Sequence, residues 1–302
     1  MTELKRYILY NPLSGNGRAA EDAALLKEYY GGECEVTDIT GIADLPEFLS
    51  VLKGDDSIVI CGGDGTLNRF VNDMEGALLP CPIFYHACGT GNDFLHDIEG
   101  QRKGDPIDIT QYLEDLPTVT VNGISRRFIN NVGFGIDGYC CEVGDALKAK
   151  SDKPVNYTMI AIKGLLFRFK PRGVTVTVDG VTHRYENAWL APTMKGRFYG
   201  GGMMPTPDQD RLDPEGELSV MVMHGKSKIK TLMIFPSIFS GTHIKHTEAV
   251  KIHKGREIRV VFDTPAAVQI DGETVSGVKE YEARSNGGSA VDTEKEYDTA
   301  II

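Results

Sequence analysis

The sequence predicts an α/β domain followed by an all-β domain of sandwich type. Three observations carry this expectation. Short apolar runs alternate with helical patterns over the first hundred or so residues, hairpin-forming dipeptides then appear between short strand-like runs, and the charge balance breaks at the same place. Residues 1–120 hold 8 Lys/Arg against 21 Asp/Glu, or -13, whereas 121–302 hold 24 against 22, or +2, which together give the net -11 of the chain. Halves of such different balance read as two domains with different partners.

In the first half, residues 6–10, 34–39, 57–61 and 83–86 read as buried strands, with helices at 18–30, 45–52 and 67–74. Continuous apolar strands separated by helices belong to a parallel sheet covered on both faces. In the second half, 118–121 and 125–130 flank Asn122-Gly123, and 174–178 and 182–186 flank Asp179-Gly180. Both dipeptides favour the positive φ angles of two-residue hairpins. Further strands are predicted at 188–193, 218–223, 249–253, 258–262 and 267–270, interrupted by helical stretches near 156–169 and 229–239. The domains are therefore drawn at 1–120 and 121–284, and the small, acidic segment 285–302 reads as a loose tail with little to bury.

With 302 residues, 41% apolar and 25% charged, the composition is that of a soluble globular protein. No run approaches the roughly 18 apolar residues of a membrane span, and the polar first residues lack a signal-peptide pattern. Any contact with a membrane is expected at its surface. The negative net charge argues against nucleic acid as a partner, because such binding rests on Lys and Arg neutralising phosphates. The six cysteines form no CxxC pair and no histidine cluster stands at metal-ligand spacing near them, so they are expected to be reduced thiols of a cytosolic protein.

Three glycine-bearing loops follow strands of the α/β half: Asn11 to Gly17, with Ser14 and Gly15; Gly62, Gly63, Asp64, Gly65 and Thr66; and Gly89, Thr90, Gly91, Asn92 and Asp93. Ligands of open α/β sheets bind beyond the carboxyl ends of the strands, so the three loops are expected to converge on one ligand. Without Cβ the backbone approaches a polyphosphate closely, and helix N-termini near Arg18 and Leu67 add positive ends. Asp64 among these donors repels phosphate unless a cation lies between them, which calls for Mg²⁺. A tight βα turn also needs glycine for purely structural reasons, so each loop alone is ambiguous. Neither a GxGxxG nor a GxxxxGK[ST] pattern is present.

GGDGTLN at 62–68, NPLSG at 11–15, GTGNDF at 89–94 and IDGE at 270–273, joined by FINNVGFGID at 128–137, GGGM at 200–203 and SGTHIK at 240–245, resemble the diacylglycerol kinase catalytic family of soluble bacterial lipid kinases. GGDGT is shared with NAD kinases; its combination with NDF and a late DGE is more specific. The resemblance implies a nucleotide-binding domain, a β-sandwich domain and an active site between them, with ATP as phosphoryl donor, Mg²⁺ as cofactor and a lipid alcohol such as diacylglycerol as acceptor. It implies Glu273 as the base acting on the lipid hydroxyl with Asp271 beside it, Asn68 with the loops in the nucleotide site, Asp93 and Asp108 with Asp64 around the metal, and a structural Mg²⁺ at Asp213 and Glu215. Asp271-Gly272-Glu273 is equally an ordinary hairpin turn, Asp108 a solvated strand end, and the 213–215 stretch a metal-free acidic loop. Arg69 stands where relatives commonly carry glutamate. NAD kinase, and a binding protein that kept the fold without the reaction, are the competing readings.

Between residues 145 and 172 lie Lys148, Lys150, Lys153, Lys163, Arg168, Lys170 and Arg172 against two aspartates, around an apolar helix at 157–169. Such a helix is either core or a peripheral seat on an anionic membrane, and the positive balance of its half favours the membrane. A homodimer is compatible with the sequence.

Overall fold

The computed structural model of the chain describes residues 5–89, 91–99, 104–148, 150, 157–164 and 168–286. Thr90 of the third loop, Lys153, residues 165–167 of the basic helix and 287–302 of the tail lie outside them.

Strands β1 (Arg6–Tyr10), β2 (Cys34–Asp38), β3 (Ser57–Gly62), β4 (Ile83–Ala87) and β5 (Ile107–Asp108) form a first sheet in the order β2-β1-β3-β4-β5. The first four are parallel, and β5 runs antiparallel to β4. Helices α1 (Ala19–Tyr30), α2 (Leu45–Ser50), α3 (Asp64–Asp73), α4 (Asp93–Glu99) and α5 (Thr110–Glu114) alternate with them. The period-2 alternation of a strand decides which helix each side chain meets. Ile8, Val59 and Cys61 pack with Ala19, Ala23 and Leu26 of α1, while Leu9, Ile58 and Ile60 pack with Leu67, Phe70 and Val71 of α3. Burying both faces is why these strands read as unbroken apolar runs. The connection direction reverses between β1 and β3, which leaves a crevice at their carboxyl ends.

The second domain comprises β6 (Thr118–Val121), β7 (Ile124–Arg127), β8 (Asn131–Phe134), α6 (Ile136–Lys148), α7 (Tyr157–Lys163), β9 (Arg172–Val178), β10 (Val181–Leu190), β11 (Thr193–Met194), β12 (Leu218–His224), α8 (Lys228–Ile234), β13 (Val250–Gly255), β14 (Glu257–Ile270) and β15 (Glu273–Arg284). Its strands follow the path β7-β6-β15-β14-β8-β11-β12-β10-β9, with β13 on β12. The 14-residue β14 pairs with β9 through Ile258–Phe262 and with β8 through Val268–Ile270, so the sheet closes on itself. Val119, Phe128, Phe134, Val176, Phe262 and Val268 fill the interior. Three hairpins turn on residue pairs with two positive φ angles: Asn122-Gly123 (51° and 79°), Asp179-Gly180 (46° and 82°) and Asp271-Gly272 (47° and 90°). This is the twist-matched geometry that Asn-Gly and Asp-Gly favour.

Strand β6 pairs with β7 and β15, and the change of sheet lies between Asp108 and Thr118. Two expectations are corrected. Residues 136–148, read within a β-rich stretch, form α6. Its Gly138 packs against the carbonyl of Ala267 so closely that a Cβ would overlap it. The strands expected at 258–262 and 267–270 are one strand that runs through Pro265 with a register shift there, the kind of irregularity at which a sheet tolerates proline.

Among the described residues no helix is long and apolar enough to cross a membrane. Phe169, at the end of the basic apolar stretch, is buried in a core with Trp189 and Ile136, while Lys163, Arg168 and Lys170 are exposed.

Candidate active site

The three glycine loops stand at the carboxyl ends of β1, β3 and β4 and touch one another. Asn11 Nδ2 donates to Thr66 Oγ1 at 3.0 Å, and the Ser14 hydroxyl lies 3.0 Å from the same oxygen. Gly15 adopts φ +61°, and a Cβ there would stand 2.6 Å from the carbonyl oxygen of Cys88. A Cβ on Gly89 would stand 2.8 Å from the Cα of Gly63, and one on Gly62 would stand 2.5 Å from the Cβ of Thr66. Glycine is required at Gly15 and Gly89 because loop meets loop, and at Gly62 because the chain turns back on Thr66 of its own loop, before any ligand is considered. Gly65 has open space around it. Asn92, at φ +50°, closes the third loop by donating to the Gly89 carbonyl at 2.8 Å.

Helix α3 begins at Asp64, one turn earlier than the sequence pattern indicates, with Gly63 as its N-cap. Its first N-H groups and positive end therefore stand in the Gly62 to Thr66 loop, a setting that attracts anions.

The carboxylates Asp64 and Asp93 are linked through backbone. Asp64 accepts from the Asp93 N-H at 2.9 Å and the Phe94 N-H at 3.0 Å, which caps α4. Asp93 is buried and accepts from Gly201 N-H at 2.8 Å and Gly202 N-H at 2.7 Å, reaching the second domain. Burial pushes the Asp93 carboxyl up to about 6; the charge of Asp64 adds to this, and the two glycine N-H groups oppose it. A Cβ built on Gly91 would lie 3.5 Å from Asp93 Oδ2 and 3.8 Å from Asp64 Oδ2, so both carboxylates border one small space. Two hard oxygen donors beside a glycine loop at a helix N-terminus fit Mg²⁺, which takes one or two carboxylates and completes its shell with water and phosphate oxygens.

From the second domain, Asp271 and Glu273 meet this helix. The Asp271 carboxylate accepts from the N-H groups of Ile129 (2.6 Å), Asn130 (2.8 Å) and Asn131 (2.9 Å) and from Asn68 Nδ2 (2.6 Å). Burial pushes its carboxyl up, and these four donors pull the other way. With its oxygens so engaged, Asp271 holds the turn rather than facing a substrate. Glu273, on the far side of the turn, is half-exposed and lies 2.6 Å from Arg126 Nη2, which also donates to Asn68 Oδ1 at 3.2 Å. Asn68 is buried, with its amide committed to Asp271 and Arg126; it brackets the domains and is not placed as a ligand contact. It lies four residues beyond Asp64, on the same face of α3.

Asp108 is not brought here, and Asp213 and Glu215, expected to hold a separate structural Mg²⁺, lie between β11 and β12 of the second domain. Asp108 pairs with Phe84 near the start of β4, roughly 10 Å down the sheet from the loops at about 3.3 Å per residue. Its Oδ1 accepts from the N-H and hydroxyl of Thr110, so it serves as the cap of a turn. Asp213 Oδ1 accepts from the Glu215 N-H at 2.8 Å, and Glu215 is exposed. Among the described residues the one convergence of three candidate ligand atoms is Cys61, His86 and Cys88, a single histidine brought to two thiols by the fold.

Sequence reasoning missed Arg126 and a buried ion pair. Asp97 of α4 pairs with Arg211, and with Arg197 at 2.7 Å. Arg211 also donates to the Ile129 carbonyl at 2.5 Å. Arg197 and Arg211 lie 100 and 114 residues from Asp97, and no local spacing marks them.

Residues 5–124 match the diacylglycerol kinase catalytic domain, and residues 130–283 match the YegS C-terminal NAD kinase beta sandwich-like domain. A diacylglycerol kinase of Mycobacterium tuberculosis is 28% identical over 253 residues, covering 80% of this chain and 80% of that protein. The crystal structure of a diacylglycerol kinase from Bacillus anthracis superposes with a TM-score of 0.60 at 17% identity, over 95% of this chain and 96% of that one. Another Bacillus anthracis structure reaches a TM-score of 0.66 at 19% identity, over 94% and 92%. With both domains matched in order along one chain, the protein belongs to the diacylglycerol kinase catalytic family.

Proposed function

We propose that this lipid-kinase family member transfers the γ-phosphoryl group of ATP, with Mg²⁺, to the hydroxyl of diacylglycerol or a related lipid alcohol, with Glu273 as the base. The observation that carries the reading is the bridge Glu273-Arg126-Asn68, which ties a carboxylate of the second domain to the same helix whose first residue is Asp64. A phosphate cradle with a base fixed against it is what phosphoryl transfer requires, because that chemistry is mostly positioning and charge stabilisation.

In this reading the loop backbones at Gly62, Gly63, Gly15 and Gly89 and the N-terminus of α3 hold the polyphosphate. Asp64 and Asp93 hold Mg²⁺, which supplies charge neutralisation at the phosphates. The lipid oxygen forms a bond to the γ-phosphorus as the bond to the bridging oxygen of ADP breaks, and the hydroxyl proton passes to Glu273. Arg126 and Asp271 orient the base. The exposed Lys163, Arg168 and Lys170 supply a basic surface for an anionic membrane from which the acceptor is drawn.

The test is a transfer assay in which labelled ATP and Mg²⁺ are offered with diacylglycerol micelles, with extracted native lipids or with NAD. Label in a lipid phosphate is the expected result. Label appearing solely in NADP would end the lipid reading.

A further inference from the structure

Cys61 immediately precedes Gly62, and Cys88 immediately precedes Gly89, so the two thiols stand at the roots of the phosphate loops. The register of β3 and β4 places Cys61 opposite His86, and the alternation of a strand puts His86 and Cys88 on one face. The ligand atoms of the three residues all lie within 4.8 Å of one another, and the two sulfurs are 3.2 Å apart. Both thiols are buried on the face covered by α1, whose Asp22 lines the same cavity as His86 and Cys88. His86 Nδ1 is buried without a hydrogen-bond partner. A cavity of about 220 Å³, lined in part by Asp22, His86, Cys88 and Asn92, adjoins the cluster.

We propose that Cys61, His86 and Cys88, completed by Asp22, bind one zinc-class divalent ion at the base of the nucleotide loops. Two sulfurs and an imidazole nitrogen are the donor set of Zn²⁺, distinct from the all-oxygen set of Mg²⁺. Bonds of about 2.3 Å to sulfur and 2.0 Å to nitrogen place tetrahedral donors roughly 3.5 Å apart, within reach by side-chain rotation alone. The orphaned Nδ1 gains a partner on binding. A Cys61-Cys88 disulfide would account for the sulfurs and leave His86 and Asp22 idle. On binding, both thiols lose their protons to solvent and nothing is oxidised. The ion would join β3, β4 and α1, and so the roots of all three loops.

The experiment uses the reduced, chelator-stripped full chain, titrated with Co²⁺ and then with Zn²⁺. A sulfur-to-cobalt charge-transfer band saturating at one ion per chain and displaced by Zn²⁺ is expected. Release of about two protons per Zn²⁺ should accompany it. Cys61→Ser and Cys88→Ser should each abolish the band, Cys81→Ser should retain it, and Asp22→Asn should weaken affinity roughly 10- to 100-fold. The proton count on the unsubstituted chain stands even where a serine variant misfolds. Binding without the sulfur band or without proton release, no binding after full reduction, or a Cys61-Cys88 disulfide in the Zn²⁺-treated chain would each overturn the proposal.

Discussion

Gly15 is held at φ +61° with its α-carbon against the Cys88 carbonyl, so an added methyl meets backbone that has little room to move. Gly15→Ala is expected to cost about 1–3 kcal/mol of stability from the backbone conformation alone, and to weaken ATP binding by separating the first and third loops. Urea denaturation and equilibrium ATP binding would read the two effects. Arg126 has the opposite profile, since it touches Glu273 and Asn68 and no phosphate loop. Arg126→Met should lower kcat on the order of 100-fold, as misplacing a catalytic group does, with ATP affinity nearly unchanged. A matched loss of ATP affinity would show that Arg126 belongs to the nucleotide site instead. The loop glycines were legible because a turn writes its needs into adjacent residues. Arg126 was not, because a single arginine on a hairpin strand acquires meaning from what folds against it.

At the scale of elements, α4 is fixed from both ends: Asp64 caps its start, and Asp97 near its end is clamped by Arg211 from the second domain. Removing one partner of a buried pair strands the other, so Asp97→Ala should cost about 3–5 kcal/mol, measured by denaturant unfolding. On α6, burial pushes the Asp137 carboxyl up to about 7, opposed by the hydrogen bond from the Tyr199 hydroxyl at 2.6 Å. Asp93 on α4 is pushed the same way, to about 6. Across pH 4 to 7 these two carboxyls keep protons in the folded chain that they shed in the unfolded one, so their contribution to stability is greatest below about 4 and declines as pH rises to about 7. The Asp137 part of that decline is at most about 4 kcal/mol, from roughly 1.4 kcal/mol per pH unit. Asp137→Asn should flatten most of it, which urea midpoints at pH 5 and 8 would test; an unchanged slope would place the titration elsewhere. Helix α6 itself escaped the sequence reading because Gly138 and Gly144 dilute its helical signal, and Gly138 is demanded by the neighbouring β14.

Across the whole molecule, the two sheets are joined by polar brackets at the mouth of the crevice: Asp93 to Gly201 and Gly202, Asp97 to Arg211, and Asp271 to Asn68. Each spans residues that are remote in sequence, which explains why the two-domain plan and the three loops could be read from the chain while the brackets could not. Hairpin dipeptides foretold the turns at 122–123 and 179–180, and the same chemistry at 271–272 carries Asp271 into the bracket and Glu273 beyond it. Asp108 and Asp213, which rested on weaker matches, accept from nearby N-H groups, and Glu215 is an exposed loop position. Glu273 is the point at which the second domain would act on what the first domain holds. The measurement that bears on this most directly is turnover of Glu273→Gln with a lipid acceptor, set beside its equilibrium affinity for ATP. Loss of a general base should reduce kcat by about 10²- to 10⁴-fold while ATP affinity stays within a few-fold of the unsubstituted chain. Turnover equal to that of the unsubstituted chain would contradict the assignment of Glu273 as the base.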